Sequence, residues 1–277
     1  MKVEGEIGKY TYYAKKRVTV FFHGFALSRL RGRVHGPKIL LNSIPKSGTH
    51  LLETLFLNLP VVRHNGGRTI MGNAHDGSAL YAIKSIEKLK NGQFAPSHIQ
   101  YTDEIKLSLR DRNVKMLQMI RDPRDILVSH VNYISGVDKS HRCYSYISSL
   151  GSYEDRLLAV LFGVPGIIEP FRDVCFKFLP WVSDECVLTI KFEDLIGAEG
   201  GGAASRQLEV ISDILDYMEL RVGGDVKERL ANAVCDKKSS TFNKGLIGAW
   251  SDSFSDTVEA LIEKEIGDLI RQLGYGN

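Results

Sequence analysis

Residues 40–52, Leu-Leu-Asn-Ser-Ile-Pro-Lys-Ser-Gly-Thr-His-Leu-Leu, pass from an apolar strand through a Lys-Ser-Gly-Thr turn into a helix. The first amides of a helix have no carbonyl one turn back and carry the positive end of the macrodipole. A turn of this kind is therefore a cradle for an oxyanion such as phosphate or sulfate. Lys46 adds a full charge, Gly48 lets the backbone approach closely, and Ser47 and Thr49 add hydroxyl donors. A Walker A loop needs Gly, four residues and then Gly-Lys-Ser/Thr, whereas here Lys46 precedes Gly48 and no second glycine stands upstream in register. The hydroxyl that holds Mg²⁺ in ATP and GTP hydrolases is thus not supplied in its usual place.

A second strand-and-helix corner follows at 114–134, Val-Lys-Met-Leu-Gln-Met-Ile-Arg-Asp-Pro-Arg-Asp-Ile-Leu-Val-Ser-His-Val-Asn-Tyr-Ile. Asp122-Pro123 is a helix start signal, because proline at the first helical position loses no hydrogen bond. Two further segments stand out: Val187-Leu-Thr-Ile-Lys-Phe-Glu-Asp-Leu195, and Ser240-Thr-Phe-Asn-Lys-Gly-Leu-Ile-Gly-Ala-Trp250.

Taken in order, these four segments resemble the sulfotransferases that use 3′-phosphoadenosine-5′-phosphosulfate (PAPS) and release adenosine 3′,5′-bisphosphate (PAP). Pro-Lys-Ser-Gly-Thr is similar to that family's 5′-phosphosulfate loop. Arg121 and Ser129, eight residues apart, match its 3′-phosphate segment. The Phe192 segment looks like its strand ending in Tyr-Glu-Asp, and residues 240–250 look like its Phe-Arg-Lys-Gly-x-x-Gly-x-Trp loop. The resemblance spans residues 40–250. It implies an α/β fold with a central parallel sheet flanked by helices, of the P-loop-like sulfotransferase type. It also implies PAPS as cofactor with no metal required, and transfer of a sulfuryl group to a hydroxyl or amine of a small-molecule acceptor. The implied nucleotide contacts are Lys46, Ser47, Gly48, Thr49, His50, Arg121, Ser129, Phe192, Phe242, Asn243, Lys244 and Gly245.

In-line sulfuryl transfer needs a base at the acceptor, positive charge at the leaving phosphate and placement of both. Lys46 is the stabiliser of the leaving group, since its charge matters most where negative charge develops. The resemblance puts the base on a His about two dozen residues before the 3′-phosphate Arg. His98, in the segment Ala95-Pro-Ser-His-Ile99 read as a loop, lies twenty-three residues before Arg121 and has an imidazole suited to proton transfer near neutrality. Glu53 and His50 are the competitors for that role.

Three departures from the family pattern stand beside these matches. Leu51 replaces a Trp that stacks on adenine, which leaves Phe242 to do so; Asn243 replaces an Arg; and the dimer motif is poorly kept around Thr257-Val258, where Ser253 and Ile262 flank it. Together these features look like those of a bacterial small-molecule sulfotransferase, and that resemblance implies secondary metabolism, including cyanobacterial alkaloid toxins, as the expected setting. A nucleotide-phosphate kinase with a degenerate P-loop and a non-catalytic PAP-binding protein are the alternatives.

With 277 residues, 43% hydrophobic and 25% charged, the chain can bury one large core, and a net charge of +3 gives no general affinity for nucleic acid. Four cysteines without CxxC or Cys/His spacing fit a reducing, cytoplasmic setting, and no apolar run is long enough to span a membrane. The first 40 residues hold nine basic residues against two acidic ones. Residues 1–37 read as a basic segment of a single domain covering 1–277, with long cationic side chains lying over apolar surface.

The elements that must position these groups follow from periodicity. Strands are expected at 38–44, 114–120 and 186–192, and helices at 79–90 and 204–220. Gly197–Ala204 reads as a flexible surface loop. A last helix is expected to open with a capping box, Asp256-x-x-Glu259, and to stop at Gly274.

Overall fold

The computed structural model describes residues 36–73, 77–234 and 246–276. Strand β1 (Lys38–Ser43) lies at the centre of a wholly parallel sheet. On one side it pairs with β4 (Gln93–Ile99), which is edged by two short strands laid end to end, β2 (Arg63–His64) and β3 (Ile70–Gly72). On the other side it pairs with β5 (Val114–Ile120), which pairs with β6 (Val187–Lys191).

Both faces of the sheet are covered, which is why the central strands read as nearly continuous apolar runs. Ile39 and Leu41 of β1 point into a core with helices α1 (Thr49–Leu57), α6 (Ala204–Tyr217) and α7 (Gly224–Val234). Leu40 points the other way, into a core with α2 (Ser78–Glu87), α3 (Asp103–Asp111), α4 (Pro123–Asn132), α5 (Tyr153–Phe162) and α8 (Asp256–Gln272). Asn42 ties the three central strands together. Its amide donates to the Ile99 carbonyl (2.9 Å) and to Gln118 Oε1 (2.8 Å), and its oxygen accepts from the Ile99 N–H (2.7 Å) and Ser97 Oγ (2.9 Å).

The chain leaves β1 toward β2 and leaves β5 toward β6, so the direction of winding reverses between the two central strands. In open parallel sheets the crevice beyond the carboxyl ends of such strands is where ligands bind. The Lys46 loop, Arg121 and Phe192 follow the carboxyl ends of β1, β5 and β6, and His98 is the second-last residue of β4.

The three expected strands and the two expected helices are present within a few residues of their anticipated limits. Three details differ. His98 stands on β4, not on a loop: Pro96 obscures the strand in the sequence, and it is tolerated because β2 pairs only with residues 93–94 and β3 only with 97–99, which leaves position 96 uncovered on that side. The last helix is capped by Ser255, whose hydroxyl accepts from the Val258 N–H, in place of the expected Asp256–Glu259 box. Gly197–Ala204 lies largely at the surface, as expected, but with local structure of its own. It holds a 3₁₀ turn at Ala198–Gly200, and a Cβ on Gly202 would fall 2.6 Å from the Glu193 carbonyl oxygen.

Candidate active site

The first corner is strained open. Lys46 adopts φ 76° and Gly48 φ 106°, and α1 begins on Gly48 with no side-chain cap. A Cβ on Gly48 would lie 2.6 Å from Phe192 Cδ2, so the loop rests directly on that ring. Only glycine combines this backbone conformation with this approach. Thr49 turns inward, its hydroxyl 2.5 Å from that of Ser43. Ser47 is fully buried, and its hydroxyl finds no hydrogen-bond partner among the described residues.

The second corner is built differently. Asp122 caps α4 by accepting from the Arg124 N–H (2.9 Å), and Pro123 takes the first helical position as expected. Arg121 is 8% exposed; its Nη2 donates to Asp125 Oδ2 (3.3 Å) and to the Leu246 carbonyl (3.0 Å), while its Nε is buried without a partner among the described residues. Its guanidinium lies 4.2 Å from the centre of the Phe192 ring, so Phe192, itself buried, is wedged between Gly48 and Arg121. Asp125 and Ser129 stand four residues apart on one face of α4, and Arg121, which precedes the helix, reaches Asp125.

Asp125 holds the segment that follows Gly245. It accepts from the Gly248 N–H (3.0 Å) and the Trp250 N–H (3.1 Å), and burial raises its pKa against the opposing pull of Arg121. The Ile247 N–H donates to the Gly200 carbonyl, and Arg124 stacks 4.0 Å from the centre of the Trp250 ring. Phe242, Asn243, Lys244 and Gly245 lie outside the described residues, as do residues 1–35 of the basic segment. Leu51, where the family pattern has an adenine-stacking Trp, is buried in the core.

His98, on β4, stands beside the first corner, near enough for the Lys46 charge to act on it. Its Nδ1 lies 2.9 Å from the Ser43 carbonyl oxygen. A carbonyl can only accept, so Nδ1 carries the hydrogen and the neutral ring presents Nε2 as its acceptor. Burial holds this imidazole down at about 4; the bond to Ser43 opposes the shift, and His50 and Lys46 add to it. Burial also lowers Lys46 to about 8, with Arg121 reinforcing and Asp138 opposing the shift. The competing carboxylate, Glu53, is 2% exposed, with His50 Nδ1 at 3.3 Å and His64 Nε2 at 3.4 Å. The other competitor, His50, is largely exposed.

Several neighbours of the site carry no motif. Asp125 could have been suspected from its four-residue offset from Arg121, and Tyr133 from the same offset to Ser129. Met71 stands opposite His98 in the β3–β4 register and is 44% exposed, yet nothing in its local sequence marks it.

The family model described as a sulfotransferase domain matches residues 36–199. A flavonol 3-sulfotransferase of Flaveria bidentis is 23% identical over 282 residues, covering 92% of this chain and 88% of that protein. Among solved structures, the mouse sulfotransferase SULT7A1 complexed with PAP is similar with a TM-score of 0.58 and 18% identity, over 90% of this chain and 91% of that one. Retinol dehydratase in complex with androsterone and the inactive cofactor PAP is similar with a TM-score of 0.58 and 16% identity, over 87% of this chain and 81% of that one. The two structures share the parallel sheet flanked by helices. With more than half of the chain matched by the family model and the fold in agreement, the protein belongs to the sulfotransferase family, enzymes of sulfuryl transfer.

Proposed function

We propose that this sulfotransferase uses PAPS and passes its sulfuryl group to a hydroxyl or amine of a small-molecule acceptor, with His98 as the base and Lys46 as stabiliser of the leaving group. The observation that carries this reading is the Ser43 carbonyl bond to His98 Nδ1, which leaves Nε2 as a proton acceptor in a cleft shared with Lys46 and Arg121.

The residues present suit a bisphosphorylated nucleotide. The buried Ser47 hydroxyl and Arg121 Nε are donors without partners among the described residues, and a bound oxyanion would satisfy them. The uncapped amides at the start of α1, with Lys46 and Thr49, would hold the 5′ end, and Arg121 and Ser129 the 3′-phosphate. Lys244 and Gly245 are assigned to the same phosphate on the motif alone. PAPS supplies an activated sulfur joined to a good leaving group. His98 Nε2 would take the acceptor proton as sulfur bonds to the acceptor oxygen or nitrogen, and Lys46 would neutralise the charge left on the departing phosphate as its S–O bond breaks. Met71, exposed and in the same row as His98, gives the acceptor side an apolar contact, which favours a hydroxyl carried on an apolar or aromatic body. The flavonol acceptor named for the Flaveria relative is therefore the first probe to use, and a secondary metabolite in the cytoplasm is the expected setting.

The test combines calorimetry with turnover. PAP should bind with EDTA present and more tightly than ATP with Mg²⁺; the reverse order would refute the cofactor assignment. His98→Gln should leave PAP affinity nearly unchanged while cutting turnover by about 10²–10⁴-fold, the usual contribution of a positioned base. Undiminished turnover in that variant, with a loss in His50→Ala or Glu53→Gln, would move the role to that residue. Binding of PAP without transfer to any flavonol, phenol or amine tried would mark a non-catalytic PAP-binding protein.

A further inference from the structure

The helix that begins at Pro123 does not end in a regular turn. It widens into a π-helix over Tyr133–Val137, a local distortion that recurs at functional sites. Its first residue faces the first phosphate corner. Lys46 Nζ lies 3.9 Å from the centre of the Tyr133 ring, and no hydrogen-bond acceptor reaches that ammonium among the described residues. The ring is held from two sides: its hydroxyl donates to Asp138 Oδ2 (3.0 Å), and the His141 ring meets it edge to face at 6.2 Å. Asp138 is itself fixed by the Ser140 N–H (3.1 Å) and hydroxyl (2.6 Å).

We propose that Tyr133 is a positioning residue whose ring face holds the Lys46 ammonium at the first phosphate corner. A desolvated ammonium needs a partner to remain charged, and a fixed aromatic face supplies one without a competing anion. The placement suits a lysine that must meet an anionic ligand. A carboxylate in direct contact would have to be displaced, whereas a ring face can be kept or released at small cost. The charged and titratable groups around Lys46 are Arg121 from the end of β5, Asp138 beyond the π-helix, His98 from β4 and His130 from α4. Of these only Asp138 favours the ammonium, and its carboxylate is bonded to Tyr133 and Ser140. The proposal rests on the sulfuryl-transfer reading only for its rate measurement.

The experiment titrates Lys46 directly. Protein labelled with [ε-¹³C]lysine is followed by NMR from mildly acid to alkaline pH, and Lys46→Arg identifies the resonance. Wild type should titrate at about 8. Tyr133→Phe keeps the ring and should match it. Tyr133→Leu removes the ring, so the amine form gains and the midpoint should fall by roughly 0.4–1.5 pH units, the size of a partly desolvated cation–π contact. The alkaline limb of kcat/KM should move down by the same amount while the acid limb stays in place. An unchanged or raised midpoint in Tyr133→Leu, or a fall in Tyr133→Phe as large as in Tyr133→Leu, would overturn the proposal. If Tyr133→Leu does not fold, Tyr133→Trp offers a better π face and should titrate at or above wild type; a fall there is equally decisive against it. A titration that behaves as expected in a protein without PAPS-dependent turnover would uphold this role for Tyr133 and defeat the transfer reading alone.

Discussion

At the corner between β1 and α1, the helix begins on a left-handed glycine and no side chain caps it; at the corner between β5 and α4, Asp122 already occupies the helix start and Pro123 lacks an N–H to offer. The two corners use the same strand-turn-helix plan, yet only the first leaves its amides for an external anion. The second must work with side chains, and those are present: Arg121, with Asp125 and Ser129 at successive four-residue steps behind it. One ring, Phe192, packs against both. A helix N-terminus is thus a potential anion site only while its amides are unsatisfied. The first corner should bind by backbone and the second by charge.

The largest effect is expected from closing the backbone cradle. Gly48→Ala forces a Cβ into a left-handed position at 2.6 Å from Phe192 Cδ2. The conformational cost of roughly 1–2 kcal/mol and an overpacking cost of about 1–3 kcal/mol should together be divided between stability and nucleotide binding. PAP and adenosine 5′-phosphate should suffer alike, since both carry the 5′-phosphate. Adding Phe192→Leu should recover the overpacking part and leave the conformational part. Denaturant unfolding and calorimetry on the single and double variants measure this; full recovery in the double variant would show that the strained backbone is not intrinsic to the corner.

A smaller and more selective loss is expected at the second corner. Arg121→Ala should weaken PAP by about 10–150-fold, the range for hydrogen bonds to a charged group, and leave adenosine 5′-phosphate nearly unaffected. Equal losses for both ligands would mean that Arg121 serves the fold through Phe192 and Leu246 instead of the 3′-phosphate.

The smallest of the three concerns Asp125. Its buried carboxylate joins Arg121 to the Gly248 and Trp250 amides, so Asp125→Asn keeps one acceptor oxygen and loses the charge. Removing that partner should speed PAP dissociation by roughly 3–10-fold, about the net worth of one hydrogen bond, with less effect on association. Stopped-flow release of PAP tests it, and an unchanged dissociation rate would separate residues 246–250 from nucleotide retention.

Proton linkage bears on the same cleft. The His98 imidazole is held at about 4 in the fold, below the ordinary value of about 6.5 for a free imidazole. The unfolded chain therefore binds the proton first, and the stability that comes from keeping His98 neutral is fully present above about 6.5 and falls away toward 4.

The sequence by itself determined both corners, because each is a local event. The Lys-Ser-Gly-Thr turn and the Asp-Pro start are legible within a few residues, and apolar runs mark β1 and β5 as buried strands and β6 as a strand. The closing of α8 at Gly274, with φ 77°, is equally local. Only the tertiary structure decided the rest. His98 gains its tautomer from a carbonyl 55 positions away, Phe192 meets Gly48 across the sheet, and Asp125 reaches amides 123 and 125 positions further on. Strand β4 was hidden by a proline that is tolerated only because the neighbouring edge is broken at that point. Capping, turn chemistry and alternation act over a handful of residues and so leave a trace in sequence. Contacts between elements depend on which surfaces the sheet brings together, and no spacing along the chain encodes that.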